Sequence, residues 1–371
     1  MESQTIYLPS YSIGGKEVYK KISEICSPYG KKAIVIGGKR AIAAAKNDLL
    51  AGAATGPVEI IGFVAYGEDA TYANVEKLMA HPVVRAADML FAVGGGRAID
   101  TSKILSDRLH KPLFAFPTIA SNCAAVTPLC VVYRADHSRG DNYYVKEPAK
   151  HIFINLDLIV QAPLKYFLAG IGDAFGRAYE PAFTTLYDEL DHSNTLAVDL
   201  AKHCGEPLIK YAVDAVADCR AQLVSQALKQ VVLNIIITDG IISSLIETEK
   251  YTGAVPHAIY RAIDAIPQCA EDYTRGEIMA YACLPQLRLE NRREDFDRQF
   301  AINRTIGLPT SLAELGLCID SEAYEDFLDR VMASHHMEYL PYSINREELD
   351  LVVKKTEEYH EAHHERMVSI T

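Results

Sequence analysis

Three short runs of almost unbroken apolar sequence in the first hundred residues each lead into glycine. Residues 33–36 stop at Gly37 and Gly38, residues 59–64 run out near Gly67, and residues 89–93 stop at Gly94, Gly95 and Gly96. A strand with one face in water alternates apolar and polar side chains. A strand that is apolar throughout must be covered on both faces, the situation in a parallel sheet sandwiched by helices. Between the runs, residues 41–50, 73–79 and 98–109 carry the spacing of amphipathic helices. This strand–helix alternation predicts an α/β domain with an open, doubly wound parallel sheet.

The texture changes after Pro163. Residues 165–187, 195–202, 213–246, 258–266, 276–289, 322–334 and 346–360 show helical periodicity, and no convincing strand follows, so the second half reads as all-helical. A chain of 371 residues exceeds what one core usually organises, so two domains are expected, 1–163 and 164–371. No repeat, low-complexity tract or linker separates them, so the two should abut and leave a cleft suited to a small ligand. The 49% apolar content is enough to order such a chain. Its net charge of -12, from 37 basic and 49 acidic residues, argues against a nucleic-acid partner. Eight scattered cysteines form no Cys-x-x-Cys pair and read as reduced thiols. The first residues lack a basic region followed by an apolar core, and no apolar run reaches the ~18 residues that span a bilayer, so a cytoplasmic protein without a membrane partner is expected.

The triple glycine is the leading candidate for chemistry. A strand, then glycines, then a helix opened by Arg97 and Ala98 aims free backbone N–H groups and a positive dipole end at a phosphate. Asp100 and Lys103 fall in the first two turns, where a carboxylate can orient loop amides and an ammonium can face a ligand. The pattern is not the usual dinucleotide fingerprint, since Ile99 stands at the third glycine and Phe114 where a ribose-binding acid is expected; nor is it a P-loop. At the first glycine turn, Gly38 leads into Lys39 and Arg40. Cations there suit a 2′-phosphate and favour NADP over NAD, although two solvated charges at a helix start fit the same residues.

The order Gly-Gly-Gly-x-x-x-Asp-x-x-Lys at 94–103, Pro117-Thr118-Ile119-Ala120-Ser121, the segment 127–133, Ala169-Gly170-Ile171-Gly172-Asp173 and His257-Ala258-Ile259 resembles the glycerol dehydrogenase group of the iron-containing alcohol dehydrogenase superfamily. Residues 38–45, Cys123-Ala124-Ala125 and Tyr339-Leu340-Pro341 look closest to its hydroxycarboxylate dehydrogenase branch, which reduces 2-oxo acids with a nicotinamide cofactor. The resemblance implies the dehydroquinate synthase-like fold, homo-oligomers, and NADP or NAD with its pyrophosphate on Gly95 and Gly96. It also implies contacts from Thr118, Ser121, Leu129 and Tyr133 to the rest of the cofactor. Glycerol dehydrogenases carry an Asp, contacting the polyol, where Cys123 stands here. A neutral thiol removes a repulsion against a substrate carboxylate.

Relatives of this kind hold a divalent metal, zinc or iron, with one Asp and two His, and Asp173 and His257 match the first two positions. Where the third His is expected the sequence has Arg275, before Gly276. A guanidinium has no lone pair to offer a metal. Tyr260 replaces the family's second helical His, and Glu338 falls where a late His is expected, near His335 and His336. Two accounts follow. In one, Arg275 pairs with Asp173 or clamps a substrate carboxylate, and hydride transfer needs no metal; Asp173, His257 and Arg275 are then the catalytic candidates, with Cys123 and Arg275 at the substrate. In the other, the chain is a catalytically impaired nucleotide-binding relative. A cyclase similar to dehydroquinate synthase would need a fuller set of metal ligands and basic residues than the chain has.

Overall fold

The computed structural model describes residues 5–368, apart from 247, 267–268, 270–272 and 320. Two compact units emerge: Met1–Tyr166 with Asp218–Ser244, and Phe167–Ala217 with Leu245–Thr371. The break at Tyr166 lies close to the expected 163, but a segment from the middle of the helical half joins the first unit. Its sequence gives the reason. Gln226–Leu245 is apolar on nearly every side, and a Cβ at Gly240 would stand 2.3 Å from Val126 Cβ, so this stretch packs into the first unit with no room to spare. By length and composition it is also the one helix among the described residues that could cross a membrane, an exception to the expectation from apolar runs. It is mostly buried and contains buried Asn234 and Asp239, which mark it as a core helix.

The first unit holds β1 (Ser10–Gly14), β2 (Lys32–Gly37), β3 (Glu59–Ala65), β4 (Met89–Gly94), β5 (Leu113–Pro117), β6 (Leu129–Tyr133), β7 (Arg139–Tyr144) and β8 (His151–Asn155). Six strands form a parallel sheet in the order β1-β8-β5-β4-β2-β3, and β6 pairs with β7 as an antiparallel hairpin. The expected strands are β2, β3 and β4, with helices Lys39–Ala53, Tyr72–Ala80 and Gly96–Leu109 between and after them. The sheet core stacks Phe116 on Phe153 at 4.8 Å, with Phe91, Phe114 and Tyr19 closing round them. Each such ring contributes roughly 1.5–3 kcal/mol by leaving water.

The second unit is helical, and past Asn155 no strand occurs among the described residues. The continuous helix expected over 213–246 is two helices, Glu206–Ala221 and one beginning at Gln226. Gln222 ends the first with a left-handed φ of 54°, and Ser225 caps the second by accepting the Leu228 N–H at 3.1 Å. Three helices carry the candidate residues of this unit, Leu164–Thr184, Val255–Asp264 and Arg275–Leu289, and the first and third cross at glycine. A Cβ on Gly172 would lie 1.9 Å from the Gly276 carbonyl oxygen, and one on Gly276 would lie 1.8 Å from that of Ala169. The backbones touch directly, with Asp173 and Arg275 each next to a contact glycine.

Candidate active site

In the first unit, β4 ends at Gly94, whose φ of 145° is costly for any residue with a side chain, and Gly95 caps the helix Gly96–Leu109. No side chain caps that helix, so its first N–H groups and dipole point to the loop mouth. Packing also requires these glycines. A Cβ on Gly95 would lie 2.6 Å from Ile119 Cδ1, and one on Gly96 would lie 2.7 Å from Asn122 Nδ2, so both let the loop after β5 fold over the helix start. Thr118 anchors that loop by donating its N–H to the Gly94 carbonyl at 3.2 Å, while Ser121 and Asn122 follow half-buried. Gly38 sits at the neighbouring turn as the N-cap of the helix Lys39–Ala53, with Lys39 and Arg40 exposed in its first turn and no acid there.

The remaining candidates of this unit divide between loop and frame. Tyr133 ends β6 beneath the Arg97 guanidinium, 4.6 Å from the ring centre, and Arg97 also pairs with buried Asp69. Asp100 accepts the Val131 N–H of β6 at 3.1 Å, a strand amide and not one of the glycine loop. Lys103 does not turn toward a ligand. It is 1% exposed and donates to the carbonyls of Thr127 at 3.0 Å and Leu129 at 2.5 Å, with Asp100 Oδ1 at 2.8 Å. Burial opposes its charge, but the Asp100 carboxylate with Cys130 and Cys123 together outweigh burial and raise the ammonium above its ordinary pKa. An ammonium so held pins β6, and with it Leu129 and Tyr133, to the helix Gly96–Leu109. Cys123 is half-buried, with Sγ 3.9 Å from Ser243 Oγ on the core helix.

In the second unit Asp173, His257 and Arg275 converge. Arg275 Nε lies 3.1 Å from Asp173 Oδ1, and its Nη2 donates to His257 Nε2 at 3.0 Å. The guanidinium sits between the two groups that were candidate metal ligands, over the face of Tyr260 at 5.7 Å. A metal needs converging lone pairs, and here a fixed positive charge that offers none holds that position. These residues therefore do not fit a resident metal.

Two further residues belong to this cluster. Glu180 lies two helical turns on from Asp173 and hence on the same face. It is 1% exposed, and both its carboxylate oxygens accept from His257 Nδ1 at 2.8 Å. His336 packs on His257 with ring centres 5.2 Å apart, an approach permitted because Gly253 has no Cβ to intrude. Burial first, then His257, His335, Arg261 and Arg275, push the His336 pKa down to about 2. His336, His335 and Glu249 bring ligand-type atoms within 4.8 Å of one another. Yet Arg261 Nε donates to His336 Nε2 at 3.1 Å, so the neutral ring carries its proton on Nδ1, and the arginine claims its one lone pair. The late His335 and His336 thus support the cluster through packing. Glu338 starts no ligand set among the described residues. Glu180 escaped sequence reasoning because its partners are 74 and 77 residues away; its local signal was the spacing from Asp173.

The pattern of the iron-containing alcohol dehydrogenase family matches residues 9–151. Hydroxycarboxylate dehydrogenase A of Escherichia coli strain K12 is 30% identical over 336 residues, covering 88% of this chain and 90% of that protein. A glycerol dehydrogenase of Escherichia coli O6:H1 is 26% identical over 326 residues, 86% of each chain. In fold, the crystal structure of glycerol dehydrogenase from Schizosaccharomyces pombe superposes with a TM-score of 0.84 at 21% identity, covering 99% of this chain and 93% of that one. With near full-length similarity in sequence and the expected parallel sheet and helical part in place, the chain belongs to the iron-containing alcohol dehydrogenase family.

Proposed function

We propose that this chain is a nicotinamide-dependent oxidoreductase that reversibly reduces a small 2-oxo acid or ketone, with the Arg275 guanidinium in the place of a metal ion. The observation that carries this reading is the bridging of Asp173 and His257 by Arg275. A carbonyl oxygen gains negative charge as its carbon accepts hydride, and something positive must stabilise it. A guanidinium does so with N–H donors and a charge that does not titrate. Asp173 and His257 hold those donors in position, so little reorganisation accompanies the reaction.

The glycine loop fits a dinucleotide. Uncapped N–H groups at Gly95 and Gly96 would hold its pyrophosphate, with Thr118, Ser121, Leu129 and Tyr133 along the rest of it. Lys39 and Arg40, exposed with no neighbouring acid in their turn, favour a 2′-phosphate and hence NADP. When bound, the nicotinamide supplies the hydride. The 2-oxo acid preference is supported by the hydroxycarboxylate dehydrogenase relative and by the neutral Cys123, which does not repel a carboxylate.

The test combines metal content by mass spectrometry with oxidation of NADPH and NADH on a panel of 2-oxo acids, ketones and polyols, with chelator and with added zinc or iron. The expected result is turnover fastest on a 2-oxo acid with NADPH, unchanged by chelator. Stoichiometric metal required for turnover would overturn the role given to Arg275. Tight cofactor binding without turnover on any substrate would establish the second reading, an impaired nucleotide-binding relative, which the same arginine also favours.

A further inference from the structure

We infer that Glu180 is a positioning residue that sets the tautomer of His257 and, through it, the orientation of Arg275. The inference rests on the reading of Arg275 as the active-site cation. His257 stands between a carboxylate, which only accepts hydrogen bonds, and a guanidinium, which only donates them. An imidazole satisfies both in one form alone: Nδ1 carries the proton and donates to Glu180, and Nε2 keeps its lone pair and accepts from Arg275 Nη2. With the proton on Nε2, two donors would face each other across 3.0 Å, and the guanidinium would be pushed off.

The same carboxylate has a structural duty. Ala254 begins the helix Val255–Asp264 without a side-chain cap of its own, and Glu180 Oε1 accepts the N–H groups of Ala254 at 2.7 Å and His257 at 3.1 Å. The cap uses Oε1, whereas the tautomer lock uses both oxygens, so the two duties can be separated. Glu180→Gln can keep an oxygen on the cap while placing an amide N–H₂ donor against Nδ1. Oε1 stays 2.8 Å from Nδ1 as an acceptor, but a donor replaces the second acceptor, so the preference for the Nδ1–H form is weakened and the Nε2–H population rises. Asp173 is untouched by the change, so its pairing with Arg275 Nε remains as an internal control.

The experiment is long-range proton–nitrogen NMR on the full chain labelled at histidine, with His257 assigned by loss of its signals in His257→Asn. In the wild type, His257 is expected with a protonated Nδ1 and a bare Nε2. In Glu180→Gln, the population is expected to move toward protonated Nε2, with an unfolding midpoint close to wild type. Turnover with a 2-oxo acid is expected to fall about 10–100-fold, carried by kcat, as for residues that orient a catalytic group. Glu180→Asp, which keeps the carboxylate, is expected to retain the wild-type tautomer. A protonated Nε2 in the wild type would overturn the inference, as would an unchanged tautomer in a folded Glu180→Gln. If Glu180→Gln does not fold, the wild-type and Glu180→Asp tautomers decide. The NMR result stands whether or not a substrate is found, so failure here is distinguishable from failure of the proposed function.

Discussion

Replacing Arg275 by His should turn a metal-free cluster into a metal-binding one, and the size of the effect can be worked out. The substitution first removes two contacts of the guanidinium, to Asp173 Oδ1 at 3.1 Å and to His257 Nε2 at 3.0 Å. The first is an ion pair, worth roughly 0–1 kcal/mol when partly exposed, and the second a hydrogen bond from a charged donor, worth roughly 1.5–3 kcal/mol when shielded. The Arg275 and Asp173 side chains are 35% and 16% exposed, so water takes back part of that, and a net loss of about 2 kcal/mol is expected without metal. The imidazole then adds a third ligand beside Asp173 and the bare Nε2 of His257. Zinc at about a hundred times its Kd returns roughly 2.7 kcal/mol. At about 1.3 °C per kcal/mol for a chain of 371 residues, Arg275→His should melt roughly 3–4 °C higher in zinc than in chelator. Wild type should show no such difference. The assay is scanning calorimetry of both proteins in zinc and in chelator, with metal content measured after desalting. A folded Arg275→His protein with no zinc-dependent shift would refute the reasoning, because it would mean that Asp173 and His257 do not converge on a common point.

Reversing both charges in Lys39→Glu with Arg40→Glu should raise KM for NADPH at least tenfold while leaving that for NADH within about twofold, since only the 2′-phosphate loses its cations; equal effects on both cofactors would remove these residues from the phosphate site. Lys103→Met leaves Asp100 as a buried charge without its partner and should cost about 3–5 kcal/mol in denaturant unfolding, an outcome that a ligand-facing lysine would not produce. Burial raises the Glu357 carboxyl to about 7, above its ordinary 4.5. The folded state therefore holds a proton that the unfolded state releases, and stability contributed by this group is present below pH 4.5 and lost as pH rises to about 7. The loss is on the order of 3 kcal/mol, and Glu357→Gln should flatten it in unfolding curves taken across that window.

The sheet was legible where physics writes it into local sequence. Strands β2 and β4 are buried between helices, so their apolar runs are nearly continuous, and β3 carries the same signature at the half-buried edge of the sheet. Strands β6 and β7 escaped because a half-exposed hairpin carrying Arg139, Asp141 and Asn142 lacks that signature, and β1 because it is a short edge strand. Triple glycine and its helix were visible for the same local reason. Lys103 was misread because spacing places a side chain on a helix face but does not say what the face meets, and β6 covers it with carbonyls. Within the second unit, Asp173, His257 and Arg275 could be named from motif order. Glu180 and His336 could not, because their roles exist only once distant helices pack.

The crossing of bare backbones at Gly172 and Gly276 makes the cluster a socket whose occupant can be exchanged. Because main chain sets the separation there, the side chain at 275 determines the chemistry without moving its surroundings. An arginine codon and a histidine codon can differ by a single base. On the proposed reading, one base change at position 275 would exchange a built-in organic cation for a borrowed inorganic one, and a protein designer could use the same socket to choose between them.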